Sequence, residues 1–363
     1  MKGTRPRPWV VVSDYPAWPS PYFTELERHA PRELRLEFAP DLAVLERRPE
    51  PPGVVNLHRL KRLYRDRNGR RTPEAVAVML HRLEGLRSSG WRLVWTVHNL
   101  LPIDGGVPGE ADHRAAHGVL ALADAVITHT HADARHLATV TDAPITVGGW
   151  AGLTAPEATT PPSADVRGLV SALTDAPSSV LVLGNLTAYK GLLPAVDAFT
   201  AHTRTTHLFL AGPCSDPALA RTLREVAADT GSRVHVHTGR IPAEHVHLLY
   251  RAADTAWCPY RTDGAWEFFT KVLHPSSVGT AVAFGTPVIA PELPAITEMT
   301  TGHPRLLYPP RHGPGPALAA HEATTGTPPV RRPRDGTSRW RSITASYAHL
   351  AQTLAADEQR QRD

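Results

Sequence analysis

Lysine is scarce in this chain. Of 39 Lys and Arg residues, only Lys2, Lys61, Lys190 and Lys271 are lysine. Lys190 stands in "VLVLGNLTAYKGLLPAVDAF", after an apolar run and just before Gly191 and a helical pattern. An ammonium group is a compact charge with three donors, suited to an anion. A strand-to-helix loop is where parallel α/β sheets hold ligands. Arg261, in "PYRTDG", follows a second strand-like run and supplies another cation. "HPSSVGTAVAFG" adds a helix start whose small residues Ser276 and Ser277 can cap it and admit an anion to its first N–H groups. These residues predict a grip on a phosphate-bearing ligand made without metal.

A second group lies in the first half. "TVHNLLP" places His98 and Asn99 at the carboxyl end of a strand, and His98 is the leading catalytic candidate among 20 histidines. The alternative for His98 is a structural bond to a neighbouring loop. "YPAWPSPYF" follows the first strand, so that Trp18 and Tyr22 stack on a bound ring or pack beneath the loop. "HTHADARH" is His-rich but reads as helical and without a third ligand, so no metal site is expected. "VGGWAG" lacks the glycine spacing of a dinucleotide fingerprint, and no G-x-S-x-G is present. Cys214 and Cys258 are far apart and read as free thiols.

The elements that must position these residues alternate. "WVVVSDY", "GVVNLHRL", "WRLVWTVHNLLP", "AVITHT" and "APITVGGW" read as strands, with helices between, among them "TPEAVAVMLHRLEGLRSSG" with Thr72 as cap and Pro73 in its first turn. After a stretch rich in Ala, Pro, Thr and Ser, a second series begins with "SVLVLGNL" and continues through "HLFLAGP", "RVHVHTG", "DTAWCPY" and "TPVIAPE". Alternation twice over predicts an α/β chain of two Rossmann-like domains, each a doubly wound parallel sheet, facing across a cleft. The expected boundaries are 1–160, 161–335 and a last helix over 336–363, running from Ser338 to about Gln359 and packing back on the N-terminal domain.

Composition bounds the rest. The chain has 363 residues, 42% of them apolar, and a net charge of +4. No apolar run approaches the roughly 18 residues of a spanning helix, and the start has no secretory pattern. A cytoplasmic protein is expected. Much of the positive excess sits in "HRLKRLYRDRNGRR", residues 58–71, a solvated face or a peripheral contact with an anionic membrane surface. Nucleic acid is not expected, because the run carries no interleaved stacking aromatics beyond Tyr64. The arginine, alanine and proline bias suggests a high-GC bacterial source. Oligomeric state is not legible.

"LVLGNLTAYKG", then "HLFLAGP", then "DTAWCPYRTDGAWEFFTKVLHPSSVGTAVAFGTPVIAPELPAITE" resemble, in that order, the C-terminal domain of family 4-like glycosyltransferases with the GT-B fold. "WTVHNLLP" and "LADAVITHTHADARHL" resemble its N-terminal segments, so the likeness spans most of the chain. The resemblance implies a glycosyltransferase that moves a sugar from a nucleoside-diphosphate sugar, its co-substrate, to a small-molecule, glycan or glycolipid acceptor. It implies no other cofactor, retention of configuration, and a leaving phosphate that helps deprotonate the acceptor. Lys190, Arg261, Ser276 and Ser277 would hold the diphosphate. Asn185, Tyr189, Thr280 and Glu298 would meet the nucleotide or sugar. His98 would lie at the reaction centre, with Trp18, Tyr22 and Asn99 on the acceptor side. The chain departs from the family pattern at Asn185, where an Arg is usual, and at Val272 and Thr280, where glutamates are usual. Glu267 and Lys271 lie in an apparent insertion, either within reach of a donor sugar, and Glu267, Asp14 and His98 are the candidates for a general base. The alternatives are a nucleotide-sugar epimerase of the same fold and a non-catalytic nucleotide-sugar-binding homologue.

Overall fold

The computed structural model describes residues 7–17, 20–48, 52–103, 106–154, 160–327 and 330–362, excepting the side chains of residues 358, 359, 361 and 362. Trp18 lies outside the described residues. The chain divides into two compact units: Met1–Trp150 with Lys271–His274 and Thr337–Asp363, and Ala151–Thr270 with Pro275–Gly336. The strands are all parallel, and helices follow them in both units, which is the α/β architecture expected.

The first unit holds β1 (Pro8–Val12), β2 (Arg35–Ala39), β3 (Val54–Leu57), β4 (Arg92–Thr96), β5 (Ala125–Thr128) and β6 (Ile145–Val147), in the order β2-β1-β3-β4-β5-β6. Strands β1, β3 and β5 are buried along their whole length. Runs such as "PWVVV" and "AVIT" are therefore continuous rather than alternating, as a sheet covered on both faces requires. The last helix spans Gly336–Arg362, longer at both ends than expected. Within the first unit its Tyr347 packs on Trp9 with ring centroids 5.3 Å apart and shares a 3.0 Å hydrogen bond with the Thr96 hydroxyl. Its Thr344 donates to the His29 carbonyl at 2.7 Å.

The second unit holds β7 (Ser179–Leu183), β8 (His207–Ala211), β9 (Val234–His237), β10 (Thr255–Trp257), β11 (Val288–Pro291) and β12 (Arg305–Tyr308), in the order β12-β11-β10-β7-β8-β9. Val180, Val182, Phe199, Leu208, Leu210 and Ile289 form part of one core beneath this sheet. The chain runs from β7 outward to β9, then returns to the other side of β7 as β10. The reversal between β7 and β10 is a topological switch point, where the carboxyl ends of neighbouring strands diverge and leave a crevice. Edge strands β2 ("RLEFA") and β12 ("RLLY") and the helices Leu42–Glu46 and Gly315–Glu322 have no counterpart in the sequence reading. They are short, and the two edge strands mix polar with apolar residues. Among the described residues, no helix is long and apolar enough to cross a membrane.

Candidate functional site

In the second unit, the loops after β7 and β10 meet at the switch point. The first runs from Gly184 to Gly191 and carries Lys190 in a 3₁₀ turn, Ala188–Lys190. Gly191 is left-handed at φ 57°, a conformation open to glycine at little cost, and it begins the helix Leu192–His202. A Cβ there would sit 3.1 Å from Arg261 Cγ, so the arginine stem lies over this glycine. The Arg261 N–H donates to the Tyr189 carbonyl at 2.9 Å, tying the two loops together.

Lys190 is only 5% exposed. Its Nζ donates to the Leu183 carbonyl at 3.2 Å. Burial pulls its pKa down to about 8, against a small opposing pull from Cys258. Cys258 is itself pushed up to about 11 by burial, partly offset by a hydrogen bond with Ser277 and by the Lys190 charge. The Ser277 hydroxyl also shares a 2.9 Å hydrogen bond with Tyr260, and Tyr250 donates to the Ser277 carbonyl at 3.3 Å. Lys190 and the first turn of the helix Ser276–Ala283 thus share one neighbourhood.

Several predicted roles change. The helix cap is Pro275, with no side-chain cap bond, so Ser276 and Ser277 do not cap. They occupy the first two helical positions, where a small side chain leaves the first-turn N–H groups approachable. Arg261 is not a free clamp: Nε and one terminal nitrogen bind the Asp263 carboxylate at 2.9 and 2.7 Å, on the surface. The Thr280 hydroxyl donates to its own helix at the Ser276 carbonyl, 2.8 Å away, so a ribose would not receive that proton. Asn185 is exposed on the loop after β7, Glu267 is exposed in the turn Gly264–Thr270, and Glu298 is half-buried in the helix Pro294–Met299. Tyr189 is half-buried against Tyr260, Trp266 and Phe269, with ring centroids 5.8 to 6.0 Å away.

The first unit gathers histidines. His58, His98 and His129 follow β3, β4 and β5, three adjacent strands. The His98 Nε2 lies 2.9 Å from His58 Nδ1, and its Nδ1 lies 3.0 Å from His129 Nε2. At the ends, His58 Nε2 is 2.8 Å from Asn56 Oδ1 and His129 Nδ1 is 3.0 Å from the Gly149 carbonyl. The excursion Lys271–His274 belongs to this unit: Leu273 pairs with Asn99 in a β-bridge and donates to Asp133 Oδ1 at 3.1 Å, and His274 donates to the His98 carbonyl at 2.8 Å. That holds the His274 ring on His129, centroids 3.8 Å apart. Burial drives the pKa values of His58, His98 and His274 well below the ordinary 6.5, and that of His129 to about 4.

His98 is therefore central, but both ring nitrogens face other imidazoles. Tyr22 packs edge-on to His98 at 4.8 Å and shares a 3.1 Å hydrogen bond with Tyr347, the packing role rather than a free stacking face. Asn99 offers a buried Oδ1 with no hydrogen-bond partner among the described residues. Asp14 is ion-paired to Arg62, and Lys271 is exposed. His129 precedes the helix His131–Leu137, and His98 and His274 bring the further imidazoles that "HTHADARH" lacks. One nitrogen of each lies within 4.8 Å of the others, and the His129 and His274 rings are nearly parallel, 25° apart. The signal for the cluster was a strand ending in His three times over: "VVNLH", "VWTVH" and "VITH".

In residues 58–71, His58 and Tyr64 are buried, and Tyr64 and Arg71 both bind Asp112, at 2.6 and 2.8 Å. The outward cations are Arg59, Arg65, Arg67 and Arg70.

Residues 177–322 match the family model described as Glycosyl transferases group 1. A search of curated proteins by sequence finds no match. Among solved structures, the chain is similar to Anabaena HepE in complex with UDP-glucose, at 15% identity and TM-score 0.54 over 94% of this chain and 87% of that one. It is similar to the trehalose 6-phosphate synthase of Burkholderia multivorans at 13% identity and TM-score 0.55, over 94% and 77%. The E. coli trehalose-6-phosphate protein bound with UDP-2-fluoro glucose matches at 14% identity and TM-score 0.52, over 92% and 75%. Residues 177–322, which cover most of the second unit, are thus similar to the family described as Glycosyl transferases group 1, in a chain that has the fold of GT-B glycosyltransferases.

Proposed function

We propose that the chain is a glycosyltransferase that moves a sugar from a nucleoside-diphosphate sugar to a hydroxyl of a small-molecule, glycan or glycolipid acceptor, with retention of configuration and without metal. Lys190 carries this reading. A buried ammonium has three donors, and the hydrogen bond to Leu183 occupies one. Keeping a charge out of water is costly unless an anion compensates it. The first-turn amides of Ser276–Ala283 supply the second positive element of the same neighbourhood.

As the glycosidic C–O bond breaks, negative charge grows on the leaving diphosphate. A fixed ammonium and oriented amides stabilise that charge more than they stabilise the ground state. Arg261 would join only by leaving Asp263. In the first unit, the unpaired Asn99 Oδ1 can accept from an acceptor hydroxyl. Calorimetric titration with UDP, GDP, ADP and dTDP tests the reading, one base being expected to bind most tightly. No heat with any of the four would remove the donor site. Turnover of donor only when an acceptor is present separates transfer from epimerisation, and the product anomer reports retention.

A further inference from the structure

The histidine chain of the first unit can be counted proton by proton. Trp9 donates its indole N–H to Asn56 Oδ1 at 3.1 Å, and Asn56 Nδ2 donates to the Val94 carbonyl at 3.2 Å and to the Thr96 hydroxyl at 3.1 Å. An indole N–H cannot accept and a carbonyl cannot donate, so the Asn56 amide has one orientation. Its Oδ1 is an acceptor, and His58 must meet it with Nε2–H. At the other end Gly149 offers a carbonyl, and His129 must meet it with Nδ1–H.

Four contacts run along the chain, at 2.8, 2.9, 3.0 and 3.0 Å, and each needs one proton. Three neutral imidazoles carry three. The two end contacts fix one proton on His58 and one on His129. The third belongs to His98, which can satisfy His58 or His129 but not both. At the remaining contact two lone pairs meet head-on.

The geometry states what fits there. Two zinc–nitrogen bonds of about 2.0–2.1 Å pointing head-on need about 4 Å between nitrogens. The contacts beside His98 measure 2.9 and 3.0 Å, the separation of an N–H···N hydrogen bond. We propose that His58, His98 and His129 form one proton-binding site, one proton short when all three rings are neutral and completed by a proton on His98.

Asn56, His58 and His129 are then positioning residues that set how His98 holds a proton. The groups facing it are Tyr22 edge-on, His58, His129 and His274, with the Arg59 charge nearby. Burial and these neighbours disfavour the cation, whereas the fourth contact favours it. Burial wins at neutral pH, and the site fills in acid.

Long-range ¹H–¹⁵N spectra of the imidazole nitrogens, from pH 5 to 8 on the full chain, test the count. His58 is expected as the Nε2–H form, His129 as Nδ1–H and His98 averaged between both. On acidification His98 gains a proton before either neighbour. A single fixed tautomer of His98, or earlier protonation of His58 or His129, overturns the proposal. In His58→Phe two contacts remain for two protons, so His98 is expected to lock as Nδ1–H, and continued averaging would equally overturn it. Should that variant not fold, the wild-type spectra decide alone. These spectra need no donor or acceptor, so they stand apart from a failure of the transfer reading.

Discussion

Replacing Lys190 by methionine separates a ligand-binding lysine from a structural one, because the two roles predict opposite signs for stability. Methionine keeps most of the side-chain volume and removes the charge. The pKa of Lys190 falls from 10.5 to about 8 on folding, owing mainly to burial. Such a depression means that the folded protein holds the proton less tightly than the unfolded chain. A lysine depressed in this way destabilises the fold by a constant amount below pH 8, and the penalty disappears as pH rises from about 8 to 10.5. At about 1.4 kcal/mol for each tenfold change, the penalty is about 3 kcal/mol. Loss of the bond to Leu183 offsets about 1 kcal/mol. Lys190→Met should therefore raise the ligand-free stability by about 2 kcal/mol at pH 7, a few degrees in Tm. It should also weaken nucleoside-diphosphate binding, since a charge-assisted contact is worth about 1.5–3 kcal/mol, roughly ten- to hundredfold. Calorimetric scanning without ligand and titration with the preferred diphosphate read the two effects. A variant that melts several degrees lower, or that binds diphosphate as tightly as the parent, would refute the reasoning. For the parent, binding should weaken as pH rises through 8, where Lys190 loses its proton.

The remaining predictions concern separate parts of the molecule. Cys258 is buried with its thiol pushed up to about 11, whereas Cys214 is half-buried, so a thiol reagent at pH 8 should label one cysteine quickly and the second only on unfolding. Ser277→Ala leaves the Tyr260 hydroxyl without its 2.9 Å partner and should cost about 1–3 kcal/mol in denaturant unfolding, with Tyr260→Phe nearly neutral in that background. Because burial holds His58, His98, His129 and His274 below 6.5, the unfolded chain binds more protons in acid, and stability should fall as pH drops from 6.5 toward 4, as Tm against pH would show. Charge-reversing Arg65, Arg67 and Arg70 together should abolish any salt-sensitive cosedimentation with anionic vesicles, and retained cosedimentation would place membrane contact elsewhere.

The sequence by itself determined the α/β class and most of the strand list. The reason is local: strands buried on both faces, such as Pro8–Val12 and Ser179–Leu183, are continuous apolar runs, and the helices between them carry their own caps, as Thr72 does. It also singled out Lys190 through scarcity and loop position. Edge strands Arg35–Ala39 and Arg305–Tyr308 escaped, because an edge position tolerates polar residues and leaves a weak pattern. Tertiary structure decided what each side chain meets. Arg261 finds Asp263 two residues on, Thr280 turns to its own helix, and Asp14 binds Arg62. His58 and His98 are 40 residues apart in sequence and His98 and His129 are 31 apart, yet hydrogen-bond distance unites them because β3, β4 and β5 lie side by side. Strand order is a product of long-range pairing, and no window of sequence contains it.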